Sequence, residues 1–365
     1  MGRGIRCNGG VATHRAVRVG ILGYGLAGRV FHANLIAATP GLEVAMIVTA
    51  DDERAARARQ EHPAAEVVAH ADTLFEHRDR LDAVVVATPN DSHVALAERA
   101  IAARLAVVVD KPLAPTVLEA RRVVERAADV GVVLTVFQNR RWDGDFLTVR
   151  ELLAAGRLGR VHRFESRFER WRPEPRAGAW REDPDPDRAG GLLFDLGAHV
   201  IDQALVLFGP VSTVYAEVDR LRPGARVDDD VFVAMAHGNG TRSHLWVSSL
   251  VAQPGPRFRL LGDRAGYTKY GLDVQEAQLG SGLGPGSAGW GTEEPDRDGS
   301  LGAGGDSARL PTRPGAYEEF YRLFAAAVRG EGAPPVDPWD AVRTLEVIDA
   351  ARRSAADGRL VRLDG

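Results

Sequence analysis

Apolar positions in the first third of the chain come in short runs, each followed by a segment of helical spacing. Val17–Leu22 is such a run, and helical spacing follows from Arg29 to Ala38. The same alternation predicts strands at Leu42–Thr49, Glu66–Ala69, Asp82–Ala87, Ala106–Val109 and Val132–Phe137, with helices over Asp91–Ala103 and Pro115–Val130 between them. Repeated strand–helix units of these lengths build a parallel sheet covered by helices, and ligands of such sheets bind beyond the carboxyl ends of the strands.

The pattern changes after Phe137. A polar, aromatic junction leads into a helix over Asp145–Ala155 and an alternating strand over Val161–Phe168. Trp171–Asp187 is proline-rich and charged and reads as a loop. Gly190–Gln203 turns amphipathic and continues as a helix to Phe208. Strands near Val211–Val218, Val231–Ala236, Arg242–Ser249 and Arg257–Leu261 follow, then a glycine-rich loop over 280–313, then helices at Tyr317–Val328 and Trp339–Arg352 within 316–356. Strands with short connections make a largely antiparallel sheet with helices on one side. The expected fold is therefore α/β: a Rossmann domain (16–138) with a doubly wound parallel sheet, and an α+β domain (139–365) with a large open, mostly antiparallel sheet. Residues 1–15 are expected to be a disordered tail.

Composition narrows the class. With 365 residues, 45% of them hydrophobic, the chain has material for two cores. Acidic and basic residues intermix to a net charge of −4, so nucleic acid and anionic membrane surfaces are not expected partners. No apolar run is expected to approach the roughly 20 residues of a membrane span. The single cysteine, Cys7, fits a reducing, cytoplasmic compartment. Of 46 basic residues only Lys111 and Lys269 are lysine. A compact ammonium differs from a planar guanidinium, so these two positions are candidates for sites where arginine does not serve.

The candidate chemistry lies at the strand ends. Gly23-Tyr24-Gly25-Leu26-Ala27-Gly28 is G-x-G-x-x-G between strand and helix, the arrangement in which glycines let a pyrophosphate approach a helix start. The second strand ends at Thr49-Ala50, about 20 residues past the last glycine, where the adenosine ribose is read. Small residues there with Arg54 following leave room for a 2′-phosphate, while Asp51 and Asp52 weigh the other way or cap a helix. Two later strand ends carry Thr88-Pro89-Asn90 and Asp110-Lys111-Pro112. In Gly190–Gln203, Asp195 and His199 stand one helical turn apart, with Asp202 near the same face. A carboxylate beside an imidazole makes an acid/base pair near neutral pH.

Together these motifs resemble the Gfo/Idh/MocA family of nicotinamide-dependent oxidoreductases, over nearly everything from Val17 onward. The carriers are the glycine loop, Thr88-Pro89-Asn90 with His93, Asp110-Lys111-Pro112, and Gly190 through Asp202. Asn139-Arg-Arg-Trp-Asp-Gly-Asp-Phe-Leu147 and Lys269-Tyr-Gly-Leu-Asp273 point to the branch containing NADP-linked scyllo-inositol dehydrogenases. The resemblance implies Lys111, Asp195 and His199 as catalytic residues, and cofactor contacts from the glycine loop, Thr49, Ala50, Arg54, Thr88, Pro89, Asn90, His93, Asp110 and Lys111. It implies substrate contacts from Asn139, Arg140, Trp142, Asp195 and His199, no metal, and a homodimer or homotetramer through the open sheet. Asp110 stands where the family motif usually has glutamate. The expected activity is NADP-preferring, or NAD-dependent, transfer of hydride to or from a polyol or sugar. Two rivals are a nonenzymatic NADP-binding regulator and a metal hydrolase built on Asp195, His199 and Asp202.

Overall fold

The computed structural model describes residues 15–175 and 182–363; the tail expected at the N-terminus falls almost wholly outside them. The first sheet holds β1 (Val17–Leu22), β2 (Leu42–Val48), β3 (Glu66–Val68), β4 (Ala83–Val86), β5 (Ala106–Val109) and β6 (Leu134–Val136), in the order 3-2-1-4-5-6. Every pairing is parallel. Helices cover both faces, which is why β4 and β5 are valine-rich and wholly buried. Register decides where the site falls. Leu22 pairs with Val86, and Val86 with Val109. The three central strands therefore end level, and Gly23, Ala87 and Asp110 emerge side by side.

The second sheet has nine strands: β7 (Val161–Glu169), β8 (Val211–Asp219), β9 (Asp230–His237), β10 (Arg242–Ser248), β11 (Phe258–Gly262), β12 (Gly266–Lys269), β13 (Gly299–Ala303), β14 (Asp306–Leu310) and β15 (Val361–Arg362). Only the β7–β10 pairing is parallel. β8 and β9 alternate buried positions with exposed or half-buried ones, the pattern of a sheet with one packed face. The buried side meets the helices Ala198–Phe208 and Pro338–Asp357.

One expectation needs correction. The stretch 280–313 is not a bare loop, because β13 and β14 form a hairpin inside it that extends the sheet. Glycines suggested a loop there, yet two of them serve close strand packing. A Cβ on Gly299 would stand 2.4 Å from the Tyr267 ring, and one on Gly302 would stand 2.0 Å from the Asp306 carbonyl. Pro186–Phe208 has a window apolar enough on average for a membrane span, but Asp187, Arg188, Asp195 and Asp202 interrupt the stretch and 72% of that window is buried inside the protein. Its hydropathy is that of a core helix.

The chain ends by returning to its beginning. Phe320, Tyr321 and Phe324 of the helix Glu318–Val328 share one apolar cluster with Ile21 of β1, Val30 of the following helical turn and Phe137 just past β6. Phe320 meets Phe137 edge-on at 4.9 Å and Trp142 at 5.7 Å between ring centroids.

Candidate active site

The glycine loop is built to be narrow. Gly23 has φ +97°, where a Cβ would stand 2.7 Å from the Ala87 carbonyl oxygen. A Cβ on Gly28 would stand 2.0 Å from the Gly23 carbonyl oxygen. Gly25 is open by contrast; a methyl group built on it would meet only Arg54 Nη1, at 3.9 Å. The turn beginning at Ala27 has no side-chain cap, so its first N–H groups suit a phosphate. Tyr24 points inward, its hydroxyl donating to Glu61 at 2.7 Å, and Leu26 is 64% exposed at the loop's tip. These residues fit a dinucleotide: the loop excludes side chains where the backbone must close and leaves Gly25 bare where the ligand must come near.

At the end of β2, Thr49 is half-buried and Ala50 exposed. Asp51 caps the next helix, its Oδ1 accepting from the Arg54 N–H at 2.9 Å. The capping reading therefore holds for Asp51, while Asp52 opens the helix itself, and the Arg54 side chain lies beside Gly25.

Beyond β4 and β5 the loops brace one another. His93, 1% exposed, places Nδ1 2.8 Å from the Pro112 carbonyl and Nε2 2.9 Å from the Thr88 carbonyl. Both ring nitrogens are thus occupied by backbone, and His93 joins the two strand ends instead of facing a cofactor. Asn90 donates to the Arg188 carbonyl at 2.9 Å, tying Thr88-Pro89-Asn90 to the second half of the chain. The Asp110 carboxylate accepts from the Lys111 N–H at 2.8 Å.

Lys111 Nζ donates to Asp195 Oδ1 at 2.7 Å and to the Asp195 carbonyl at 2.6 Å. Asp195 lies in a widened, π-type turn, Leu193–Gly197, that runs into the helix Ala198–Phe208 carrying His199. Gly191, at φ +94°, starts this segment, and a Cβ there would stand 2.1 Å from Asp228 Oδ1. Asp228 Oδ2 accepts from the Leu193 N–H at 2.7 Å, and its carbonyl accepts from the Leu192 N–H at 3.0 Å. Asp228, which no sequence motif singled out, thus anchors the turn that presents Asp195.

The expected pairing within the helix differs from the one observed. No hydrogen bond joins Asp195 to His199; the carboxylate holds Lys111 instead. His199 is buried with Nδ1 unpartnered, which leaves Nε2 as the nitrogen for a ligand. Burial, then the nearby charges of Lys111 and Arg140, hold its pKa well below the usual imidazole range, with Asp195 opposing them. Asp202 does not join this group. Arg141 takes its carboxylate, with Nε to Oδ2 at 2.8 Å and Nη2 to Oδ1 at 2.5 Å.

Behind His199 lies a buried ionic layer. Arg140 donates to Glu276 at 2.6 Å and meets Asp143 at 3.5 Å. Tyr317 donates to Asp143 at 2.7 Å, and burial pushes the Asp143 carboxyl well up. Arg257 donates to Gln203 at 2.7 Å, and Gln203 donates to the Arg140 carbonyl at 2.8 Å. Asn139 is buried, and Trp142 packs in the aromatic cluster against Phe320. Glu276, Arg170 and Phe168 also border the site, and sequence reasoning missed all three.

A dinucleotide loop, a lysine beyond β5 locked to a carboxylate, and a buried histidine beside them define a nicotinamide-dependent oxidoreductase. Comparison with known proteins agrees. Residues 17–138 match the family model "Oxidoreductase family, NAD-binding Rossmann fold", and residues 150–363 match "Oxidoreductase family, C-terminal alpha/beta domain". The chain belongs to the Gfo/Idh/MocA oxidoreductase family. It is 40% identical over 343 residues to YdgJ, an uncharacterized oxidoreductase of Escherichia coli, covering 93% of this chain and 96% of that protein. It is 34% identical over 352 residues to IolW of Bacillus subtilis, a scyllo-inositol 2-dehydrogenase (NADP(+)), covering 95% and 96%. The solved structure of the putative oxidoreductase YvaA from Bacillus subtilis superposes with a TM-score of 0.90 at 34% identity, covering 96% of this chain and 99% of that one.

Proposed function

We propose that this oxidoreductase interconverts a secondary alcohol and its ketone on an inositol-like polyol or a sugar, and prefers NADP to NAD. The observation that carries the reading is the Lys111 ammonium fixed by Asp195 beside the buried His199. The bound nicotinamide supplies the hydride acceptor or donor; the remaining work falls to side chains. Lys111 has three N–H donors, and two go to Asp195. The third serves the substrate oxygen and stabilises alkoxide character there. His199 takes the hydroxyl proton at Nε2 in the oxidative direction and returns it in the reductive one. Asp195 keeps the ammonium in place and opposes the positive field of Lys111 at the imidazole.

NADP preference rests on Arg54, whose Nη1 stands over Gly25, and on the absence of a carboxylate at Ala50. A panel of polyols and keto sugars, scored with both cofactors, tests the proposal. Turnover with a secondary alcohol or ketone, sharply lowered in Lys111→Met and His199→Asn while NADPH fluorescence still reports binding, supports it. Undiminished turnover in His199→Asn would remove the histidine from proton transfer.

A further inference from the structure

Three guanidinium groups surround one phenyl ring in the wall of the site. The guanidinium carbons of Arg140, Arg170 and Arg257 lie 4.7, 4.8 and 5.6 Å from the Phe168 ring centroid. Two of the three have internal counter-charges. Arg140 meets Glu276 at 2.6 Å, and Arg257 meets Asp145 at 3.7 Å and also donates to Ser166 and Gln203. Lys111, the remaining cation near His199, is matched by Asp195.

Arg170 is different. Among the described residues no carboxylate forms an ion pair with its guanidinium, and no hydrogen bond from its side chain is present. Its main chain is nonetheless fixed, with its N–H donating to the Ser248 carbonyl at 2.9 Å and its carbonyl accepting from Val251 at 3.0 Å. It is half-buried at the mouth of the site. The charges it feels include Glu276 and Asp195 on the favourable side and Arg172 and Arg140 on the unfavourable side. It therefore belongs to the same wall as the Lys111–Asp195 pair.

A partly desolvated guanidinium with no paired counter-charge is costly, and a ligand that supplies the missing charge recovers that cost. We infer that Arg170 is the recognition group for a carboxylate on the substrate, so that the polyol or sugar taken by this enzyme is an acidic one, of the uronate or aldonate type. The inference rests on reading the site as that of a secondary-alcohol dehydrogenase. The chemistry favours a carboxylate for two reasons. The planar fork of arginine matches two carboxylate oxygens at once. One unpaired cation also balances one negative charge, whereas a phosphate dianion asks for two. A neutral polyol would leave the guanidinium as it stands.

The test measures binding, which needs no hydride transfer. Titration calorimetry on the NADP-loaded enzyme compares glucuronate, galacturonate and gluconate with glucose, galactose and glucitol, in wild type, Arg170→Met and Arg170→Lys. The expected result is that at least one acid binds roughly 10- to 100-fold tighter than its neutral counterpart, the span of a charged hydrogen bond gained. Arg170→Met should erase that preference while leaving the neutral ligand's affinity within about twofold, and Arg170→Lys should restore part of it. Equal affinity for acid and neutral partners in wild type, or equal losses for both in Arg170→Met, would overturn the inference. Tighter binding of glucose 6-phosphate than of glucuronate would overturn the carboxylate assignment. Turnover of the bound acid is read separately. Preferential binding without turnover of any alcohol or ketone counts against the proposed activity and leaves the Arg170 subsite standing.

Discussion

Lys269 Nζ lies 2.8 Å from Glu293 Oε2, and the two side chains are 0% and 3% exposed. The ammonium also donates to the Tyr270 carbonyl at 2.7 Å. One of the two lysines thus sits in the proposed active site and the other in a buried ion pair, so neither stands where a generic surface charge would do. Removing one member of such a pair strands the other charge. Lys269→Met is expected to destabilise the protein by about 3–5 kcal/mol. Lys269→Met combined with Glu293→Met should recover much of that loss. Chemical denaturation of the three variants checks it, and a single mutant as stable as wild type would show that the pair contributes nothing.

Lys111→Arg should lower kcat by about 10²–10³, the usual consequence of losing one well-placed oxyanion donor. A guanidinium is too broad to keep both bonds to Asp195 while pointing a third donor at the substrate. NADP affinity, set chiefly at Gly23–Gly28, should change little. Single-turnover kinetics beside direct cofactor titration separates the two.

The pH profile follows from His199. Its folded pKa is depressed, so the imidazole remains the neutral base down to a pH below the ordinary value of about 6.5. The rate of alcohol oxidation should therefore hold as pH falls through 6.5 and decline only further down. Lys111→Met removes a positive neighbour and should move that acid limb to higher pH. A limb that stays in place would mean that the lysine's charge does not reach the imidazole.

Cofactor preference is expected to turn on two positions. Arg54→Ala should reduce kcat/KM with NADP and spare NAD, because only the former has a 2′-phosphate to lose. Ala50→Asp should push preference further toward NAD. A wild-type kcat/KM higher with NAD would defeat the assignment outright.

The uncovered side of the nine-stranded sheet carries a ladder of rings. Phe232 and Trp246 lie 5.1 Å apart, Phe232 and His244 lie 6.0 Å apart, and the Arg167 guanidinium stands 3.9 Å above Trp246. A second copy of the chain would cover this surface. The protein is expected to be a homodimer or homotetramer at micromolar concentration, and Phe232→Asp with Trp246→Asp to be monomeric. Light scattering on both decides it.

The dinucleotide half was legible in the sequence because its signals are local. Gly23 to Gly28 and the valine runs of β4 and β5 state their roles within a few residues. The site's inner wall was not. Arg140 finds Glu276 136 residues away, and Asp228 reaches back 35 residues to hold Leu193. Nothing in the spacing of either acid announces its partner. Asp195 and His199 were rightly placed on one segment, but helical spacing alone pointed to a bond between them. The π-type turn and the arrival of Lys111 from the other half gave Asp195 a different partner.

The aromatic cluster made by Phe320, Tyr321 and Phe324 has a consequence for dissecting this enzyme. The nucleotide-binding half ends its own strands at β6, yet part of its apolar surface is closed by rings supplied some 180 residues later, as with Phe137 and Phe320. Expressed alone, residues 16–138 would expose Phe137, Val30 and their neighbours to water. The half that looks most like a portable cassette is finished only when the helix Glu318–Val328 has been synthesised, so grafting it onto another catalytic partner calls for carrying that helix along with it.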